Sequence, residues 1–120
     1  MRSGQPVFTV RSVNDAIDWY QDILGFEAVF RSEPAEKDSL DYAVLLNGNA
    51  GLHLGCETAM ENIAGQGACN FVTKEFNQVL RSVKDAGVPF YINLSEIPSG
   101  QRTFGIKDPD GNLIRFVEVA

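Results

Sequence analysis

The chain has 120 residues, of which 44% are hydrophobic and 22% are charged, and this composition is typical of one globular domain. Its formal net charge of −6 disfavours nucleic-acid binding, which needs clustered Lys and Arg. No apolar run approaches the ~20 residues of a membrane span, and the first residues lack the apolar core of a signal peptide. We therefore expect a cytoplasmic protein with no membrane partner.

Cys56 and Cys69 are the only two cysteines. They form neither a CxxC motif nor a zinc-binding spacing, so we expect two free, buried thiols.

The first half of the chain predicts a strand, a helix and three more strands. Val7–Val10 reads as a strand that starts after Pro6. Ser12 followed by Asp15 resembles a capping box, and Gly25 is a helix stop. Between these signals, apolar residues recur at helical spacing on one face: Val13, Ala16, Ile17, Tyr20 and Leu24.

The strands that follow this helix alternate with polar or glycine-rich segments. Residues 26–30 predict a strand, 31–41 a polar loop and 42–46 another strand. Asn47, Gly48 and Asn49 form a hairpin turn signal, and a short strand then covers 52–54 and reaches toward Cys56. Residues 57–67 read as a linker, in which 59–63 allow one helical turn.

The second half repeats the same order of elements. Residues 69–72 predict a strand, Thr73 can cap a helix, and Gly87 ends that helix. The predicted strands and turns that follow are 88–94, 97–100 (turn), 103–107, 108–111 (Asp-Pro-Asp-Gly turn) and 113–119. The helix carries one apolar stripe: Phe76, Val79, Leu80 and Val83.

One offset of 62 positions relates the two halves, since Gly25 aligns with Gly87 and Phe8 with Asn70. The sequence therefore predicts a single α+β domain built from two βαβββ modules, at about 5–56 and 68–119. Because the strands after each helix come as hairpins, the sheet should be mixed and mostly antiparallel. It should curve like a cup, with the helices outside.

Four segments carry a family resemblance. They are residues 8–10 (FTV), 16–20 (AIDWY), 23–26 (ILGF) and 108–114 (DPDGNLI). Together they resemble the opening and the closing hairpin of the vicinal oxygen chelate superfamily, which includes glyoxalase I, extradiol dioxygenases and the fosfomycin and bleomycin resistance proteins. The resemblance covers nearly the whole chain and implies the fold far more strongly than any activity.

The enzymes of that superfamily hold a divalent metal with one side chain from each of four strands. The resemblance places these positions at Gln5, His53, Ala68 and Arg115. Gln5 and His53 can serve as ligands for Ni, Zn, Mn, Fe or Co, whereas Ala68 cannot and Arg115 is always cationic. We therefore expect no metal cofactor.

Two details leave the metal question open at this point. A shift of register would bring Cys69 or Asn70 to the third position, and Glu118 lies near the fourth, although it should face the opposite side of its strand from Arg115. The alternative is thus an enzyme of the glyoxalase or dioxygenase type with an atypical metal site.

Alternation along the strands predicts a ligand pocket. Its expected lining is Gln5, Val7, Thr9, Leu113, Arg115 and Val117, together with the aromatic Tyr42 and Phe104, and the family resemblance adds His53. Arg115 could pair with an anionic ligand group or with a neighbouring carboxylate. His53 could contact a ligand, act as a general base or be an interior histidine. Because the chain has no histidine besides His53 to act as the base for a Ser or Cys nucleophile, the sequence does not support catalytic-triad chemistry.

The favoured hypothesis is a metal-independent protein that binds a small organic ligand, similar to the bleomycin resistance branch, which sequesters a cationic, aromatic drug. The acidic balance fits such a ligand, and aromatic side chains could stack on it. The acidic loop residues are Glu33, Glu36, Asp38 and Asp41, and the aromatic residues are Phe30, Tyr42, Tyr91 and Phe104. The resemblance also implies a homodimer, in which the cup is completed either within one chain or by an exchange of modules between two chains. The loose linker at 57–67 permits either arrangement.

Overall fold

The structure is a computed structural model that describes residues 5–32 and 40–120. Its first half forms one βαβββ module. The elements are β1 (Val7–Val10), α1 (Val13–Leu24), β2 (Glu27–Ser32), β3 (Tyr42–Asn47) and β4 (Ala50–Cys56). A short helix, α2 (Glu57–Met60), follows β4.

The second half repeats the module. Its elements are β5 (Ala68–Thr73), α3 (Phe76–Asp85), β6 (Ile92–Glu96), β7 (Arg102–Lys107) and β8 (Leu113–Glu118). The strand orders are β1-β4-β3-β2 and β5-β8-β7-β6, so the two four-stranded sheets have the same topology. In each sheet the first strand pairs in parallel with the last, and the remaining pairs are antiparallel. The predicted α+β fold of two βαβββ modules is confirmed.

Helix α1 forms where its end signals predict it. The Ser12 side chain accepts a hydrogen bond from the Asp15 backbone N–H at 3.2 Å, which satisfies one free donor of the first turn. Gly25 ends the helix in the left-handed conformation, with φ of 71°. All five residues of the predicted apolar stripe are buried.

The start of α3 differs from the prediction. Glu75, not Thr73, is the N-cap residue, and its side chain makes no capping hydrogen bond. The Thr73 hydroxyl instead accepts a hydrogen bond from the Glu75 backbone N–H at 2.9 Å, which forms a local turn before the helix. Gly87 has a φ of 72° just after the helix end.

Two strand predictions need correction. Arg31 and Ser32, expected in a loop, extend β2, because both pair with β3. The strand expected at 88–94 is β6, which begins only at Ile92 and runs to Glu96. The preceding segment packs on the core instead, with the Phe90 ring 5.2 Å from that of Phe104.

The helices cover one face of each sheet, and the hydrophobic core lies between the helices and those sheet faces. Phe8, Leu52 and Leu54 of the first module and Ile106 and Ile114 of the second are at most 1% exposed. Alternate residues of the same strands point to the opposite side, which we call the open face of each sheet. None of the described helices is long and apolar enough to cross a membrane.

Candidate functional site: the open faces of the two sheets

The only histidine lies on β4 in the sequence Gly51-Leu52-His53-Leu54-Gly55. Leu52 and Leu54 are completely buried in the core, so His53 and the two glycines lie on the open face. The glycines let two side chains pack closely on this face. A Cβ at Gly51 would displace the Gln5 amide, and a Cβ at Gly55 would displace the Met60 side chain.

Gln5 and Tyr42 both contact the His53 ring. The Gln5 Oε1 atom lies 2.8 Å from His53 Nε2, and the Tyr42 hydroxyl lies 2.6 Å from His53 Nδ1. The Tyr42 and His53 rings meet edge to face, at an interplanar angle of 80°. The structure therefore brings three of the predicted pocket residues together in one hydrogen-bonded chain.

The chemistry of the partners assigns the roles in this chain. An amide oxygen can only accept, so the neutral His53 ring donates from Nε2 to Gln5 and its Nδ1 accepts from the Tyr42 hydroxyl. Burial raises the pKa of Tyr42, which keeps the phenol protonated as the donor. The arrangement holds the ring in one orientation on the open face.

The histidine tautomer can be measured directly. We expect the ¹⁵N spectrum of neutral His53 to show a protonated Nε2 and an unprotonated Nδ1. Tyr42→Phe removes the donor to Nδ1, and a hydrogen bond of about 1 kcal/mol should then be lost, which raises the Nδ1-protonated fraction several-fold. Tyr91→Phe, at an exposed ring elsewhere, is the control. A tautomer that is unchanged in Tyr42→Phe would contradict this assignment.

Two of the four positions that the resemblance assigns to a metal carry side chains that can act as ligands. Gln5 and His53 are hydrogen-bonded to each other, and Ala68 offers no donor atom. Arg115 is a cation that would repel a metal ion. Within residues 5–32 and 40–120, no three His, Cys, Asp or Glu side chains lie close enough together to hold one.

Of the register alternatives, Asn70 lies exposed on the open face beside Arg115, whereas Cys69 and Glu118 lie on the other side of their strands. Cys69 lies on the core side of β5, where burial first and the charge of Asp108 second raise its pKa to about 12. Glu118 faces away from Arg115 and forms an ion pair of 2.7 Å with Arg102. That contact lowers the pKa of Glu118.

Arg115 lies on the open face of the second sheet, where it is half-buried. Its Nε–H donates to the Thr103 hydroxyl oxygen at 3.1 Å, and that hydroxyl donates to the Phe116 carbonyl oxygen at 2.8 Å. No carboxylate of the described residues forms an ion pair with Arg115. Thr103, which holds the guanidinium, was not predicted from the sequence because only the β7–β8 register places it beside Arg115.

The other predicted pocket residues are divided. Val7 is 43% exposed on the first open face. Thr9 is buried, and its hydroxyl accepts a hydrogen bond from Asn62 at 3.3 Å. Val117 pairs with Thr103 on the second open face. Leu113, two residues before Arg115 on β8, is half-buried on that same face.

Phe104 does not line either open face, which corrects the prediction. It is completely buried on the core side of β7, with its ring centroid 5.3 Å from Phe76 and 5.2 Å from Phe116. The open side of the strand belongs to Thr103 because Thr103 is the residue that pairs with Val117.

The remaining aromatic and acidic candidates lie outside this arrangement or only at its rim. Phe30 is 54% exposed on β2, and the exposed Tyr91 ring carries the Lys107 ammonium 3.9 Å above it. Asp41 accepts a hydrogen bond from the Cys56 thiol at 3.6 Å. The other predicted acidic residues lie outside the described residues: Glu33, Glu36 and Asp38.

Several solved structures have the same fold. A superfamily member from Sphaerobacter thermophilus DSM 20745 is 24% identical, with a TM-score of 0.80 over 99% of this chain and 98% of that one. A bleomycin-binding protein complexed with bleomycin is 18% identical, with a TM-score of 0.77 over 100% of both chains. A lactoylglutathione lyase from Agrobacterium tumefaciens is 18% identical, with a TM-score of 0.80 over 98% of this chain and 94% of that one.

At these identities the solved structures establish a common fold and no common activity. Comparison with curated proteins found no match. The family model for the Glyoxalase/Bleomycin resistance protein/Dioxygenase superfamily matches residues 2–116, which is nearly the whole chain. The chain therefore belongs to the glyoxalase/bleomycin resistance protein/dioxygenase superfamily.

Proposed function

We propose that this protein binds and sequesters a small aromatic molecule, of an antibiotic-like kind, on the open faces of its sheets, without a metal. The proposal rests on the side chains that occupy the four positions assigned to metal ligands. Both ring nitrogens of His53 are hydrogen-bonded to side chains, and a cation, Arg115, stands in the fourth position. A binding role needs neither a metal nor a nucleophile at these positions.

The lining of the open faces supports a ligand with an apolar, planar body. Val7, Phe30 and Val72 are 43%, 54% and 65% exposed there. A few polar groups stand among them, chiefly His53 and Arg115. Apolar walls with a small number of fixed polar groups are typical of small-molecule sites. That a relative of the same fold is known in complex with bleomycin adds support for this class of ligand.

The test measures metal content and binding on the same sample. We expect elemental analysis to find less than about one-tenth equivalent of divalent metal per chain. A protein with a complete metal site would instead contain about one equivalent. A ligand present at about 100 times its dissociation constant adds about 2.7 kcal/mol of stability, which at this size raises Tm by roughly 10 °C. In a thermal-shift panel of bleomycin and planar aromatic compounds, we expect at least one such shift, unchanged by a chelator.

One observation favours the alternative, a metal-dependent enzyme of the glyoxalase or dioxygenase type. Gln5 Oε1 and His53 Nε2 lie 2.8 Å apart, and both are atoms that can bind a divalent metal. Close to one equivalent of metal in the purified protein, together with loss of that metal in His53→Ala, would establish the alternative. A panel without any thermal shift would remove the support for sequestration.

A homodimer is part of the proposal. In a single chain the apolar residues of the open faces remain exposed to water, and a second copy could cover them. We expect light scattering and small-angle X-ray scattering to report twice the mass of one chain. A monomer across the micromolar range would contradict the dimer while leaving the binding proposal to its own test.

A further inference from the structure

We propose that Arg115 recognises an oxyanion on the ligand, such as a carboxylate or phosphonate, and that Thr103 positions its guanidinium for this role. The inference rests on the proposed binding function and specifies the chemical class of the ligand. It runs against the cationic ligand that the net charge of −6 favours.

Within residues 5–32 and 40–120, the side-chain hydrogen bond of Arg115 does not use its two terminal nitrogens. The contact it makes with described residues is through Nε, to Thr103. No buried side-chain nitrogen or oxygen of the described structure lacks a hydrogen-bond partner. The two Nη groups are therefore reached by solvent, and they form the edge of the guanidinium that binds an oxyanion in two parallel hydrogen bonds.

Arg102 shows how an arginine with a structural role differs. Its Nη2 lies 2.7 Å from a Glu118 carboxylate oxygen and 2.7 Å from the Asn77 amide oxygen, and its guanidinium lies 4.8 Å from the Phe76 ring centroid. The acceptors of Arg102 are thus supplied by the protein. For Arg115 the described residues supply one neutral acceptor, Thr103, and no carboxylate partner.

The neighbours of Arg115 on the adjacent strands add a donor and an apolar side chain. Across one side it pairs with Gly105, over which the Ile92 side chain packs, and across the other with Asn70, whose exposed amide can donate to the same oxyanion. Lys107 stands two residues along from Gly105. The strand positions that pair on this face of β5, β7 and β8 carry no carboxylate.

On this face of β5, β7 and β8 the charged side chains are Arg115 and Lys107, both positive, in a protein whose net charge is −6. A guanidinium that Thr103 holds beside an amide donor favours an anion and disfavours a cation at the same place. The apolar residues around it, including Val72 and Val117, would contact the body of the ligand. The expected ligand is therefore an aromatic acid, not an aromatic amine.

Three probes with one aromatic body and different charges test this inference. They are 2-naphthoate, 2-naphthalenemethanol and 2-naphthylmethylammonium, each titrated by calorimetry at low salt. A charge-assisted bidentate contact predicts that naphthoate binds roughly tenfold or more tightly than either other probe. In Arg115→Gln the preference should fall to within about twofold, whereas binding of the neutral alcohol should change little.

Further variants separate recognition from folding and from net charge. Arg115→Lys keeps the charge but loses the planar fork, so we expect part of the preference to remain. Thr103→Val keeps the shape but removes the acceptor for Nε, and it should lower the ratio of naphthoate to alcohol affinity severalfold. A purely structural role of Thr103 would move both affinities equally. Arg81→Gln, an exposed arginine on α3, removes one charge off the sheet and should change nothing.

The failures can be told apart. If the three probes bind equally, or if the preference for naphthoate survives in Arg115→Gln, the oxyanion site is refuted and the binding function stands. If the ammonium probe binds best, the ligand is cationic. If none of the three binds at millimolar concentration, this inference is refuted, while the proposed function remains subject to its own panel.

Discussion

Replacing Asp108 with alanine should lower the free energy of unfolding by about 3–5 kcal/mol, the cost of breaking a buried charged network. Asp108 begins the Asp-Pro-Asp-Gly turn and is 4% exposed. Its carboxylate accepts hydrogen bonds from the Tyr20 hydroxyl at 2.8 Å and from the Asn112 amide and backbone nitrogens, both at 2.9 Å. The alanine variant would leave several buried donors without an acceptor.

The network matters because it joins the two modules. Tyr20 lies on α1 of the first module, and Asn112 also donates to the Thr9 carbonyl oxygen of β1 at 3.1 Å. Burial first, and the charge of Asp108 second, raise the pKa of Tyr20, so its hydroxyl remains a donor. Loss of Asp108 should therefore loosen the contact between modules as well as the turn itself.

Asp110 provides the matched control in the same turn. Its carboxylate pairs with the Arg11 guanidinium at 3.0 Å and accepts from the Arg11 backbone N–H at 3.1 Å; the two side chains are 63% (Arg11) and 12% (Asp110) exposed. Because a partly exposed ion pair and one hydrogen bond contribute about 1 kcal/mol each, Asp110→Ala should cost about 1–2 kcal/mol, less than Asp108→Ala. Urea unfolding followed by circular dichroism measures both variants. Equal losses in the two would show that the Asp108 network does not stabilise the fold.

The order of elements could be predicted because local signals and the 62-residue repeat agree. Ser12 and Gly25 are chemical signals that act within a few residues, and α1 formed between them. The strand predicted from residue 88 starts only at Ile92, because a segment that packs on the core has the same apolar pattern as a strand. There Phe90 packs on Phe104, and the Tyr91 N–H donates to the Gly105 carbonyl oxygen at 2.8 Å.

The site was harder to predict because its contacts cross between strands. Alternation placed His53 on the open face, but only the β3–β4 register brings Tyr42 next to Gly55, and so within reach of the ring. Thr103 was missed for the same reason, since only the β7–β8 register places it beside Arg115. Phe104 was assigned to the wrong face because a shift of one residue moves every side chain to the other face of the sheet. The glycines beside His53 were the one local signal available, since small residues on its face mark a close approach.

Gly65→Ala should cost about 2–5 kcal/mol of stability, because two penalties add at this position. Gly65 has a φ of 86°, where a residue with a Cβ loses about 1–2 kcal/mol. The added Cβ would also strike the Asp110 carbonyl oxygen, and relieving such a backbone contact costs about 1–3 kcal/mol. The Gly65 N–H donates to the Thr9 carbonyl oxygen at 3.2 Å, so the same shift would strain β1.

Gly87→Ala separates the two penalties. Gly87 has a φ of 72°, but an added Cβ would meet nothing within 4 Å, so only the conformational cost of about 1–2 kcal/mol applies. If both variants lose the same stability, the contact between Gly65 and the Asp110 carbonyl oxygen adds no steric penalty. A larger loss in Gly65→Ala would show that the segment between the modules, expected as a loose linker, is packed against β1 and the Asp-Pro-Asp-Gly turn. An exchange of modules between two chains would then have to break that packing first.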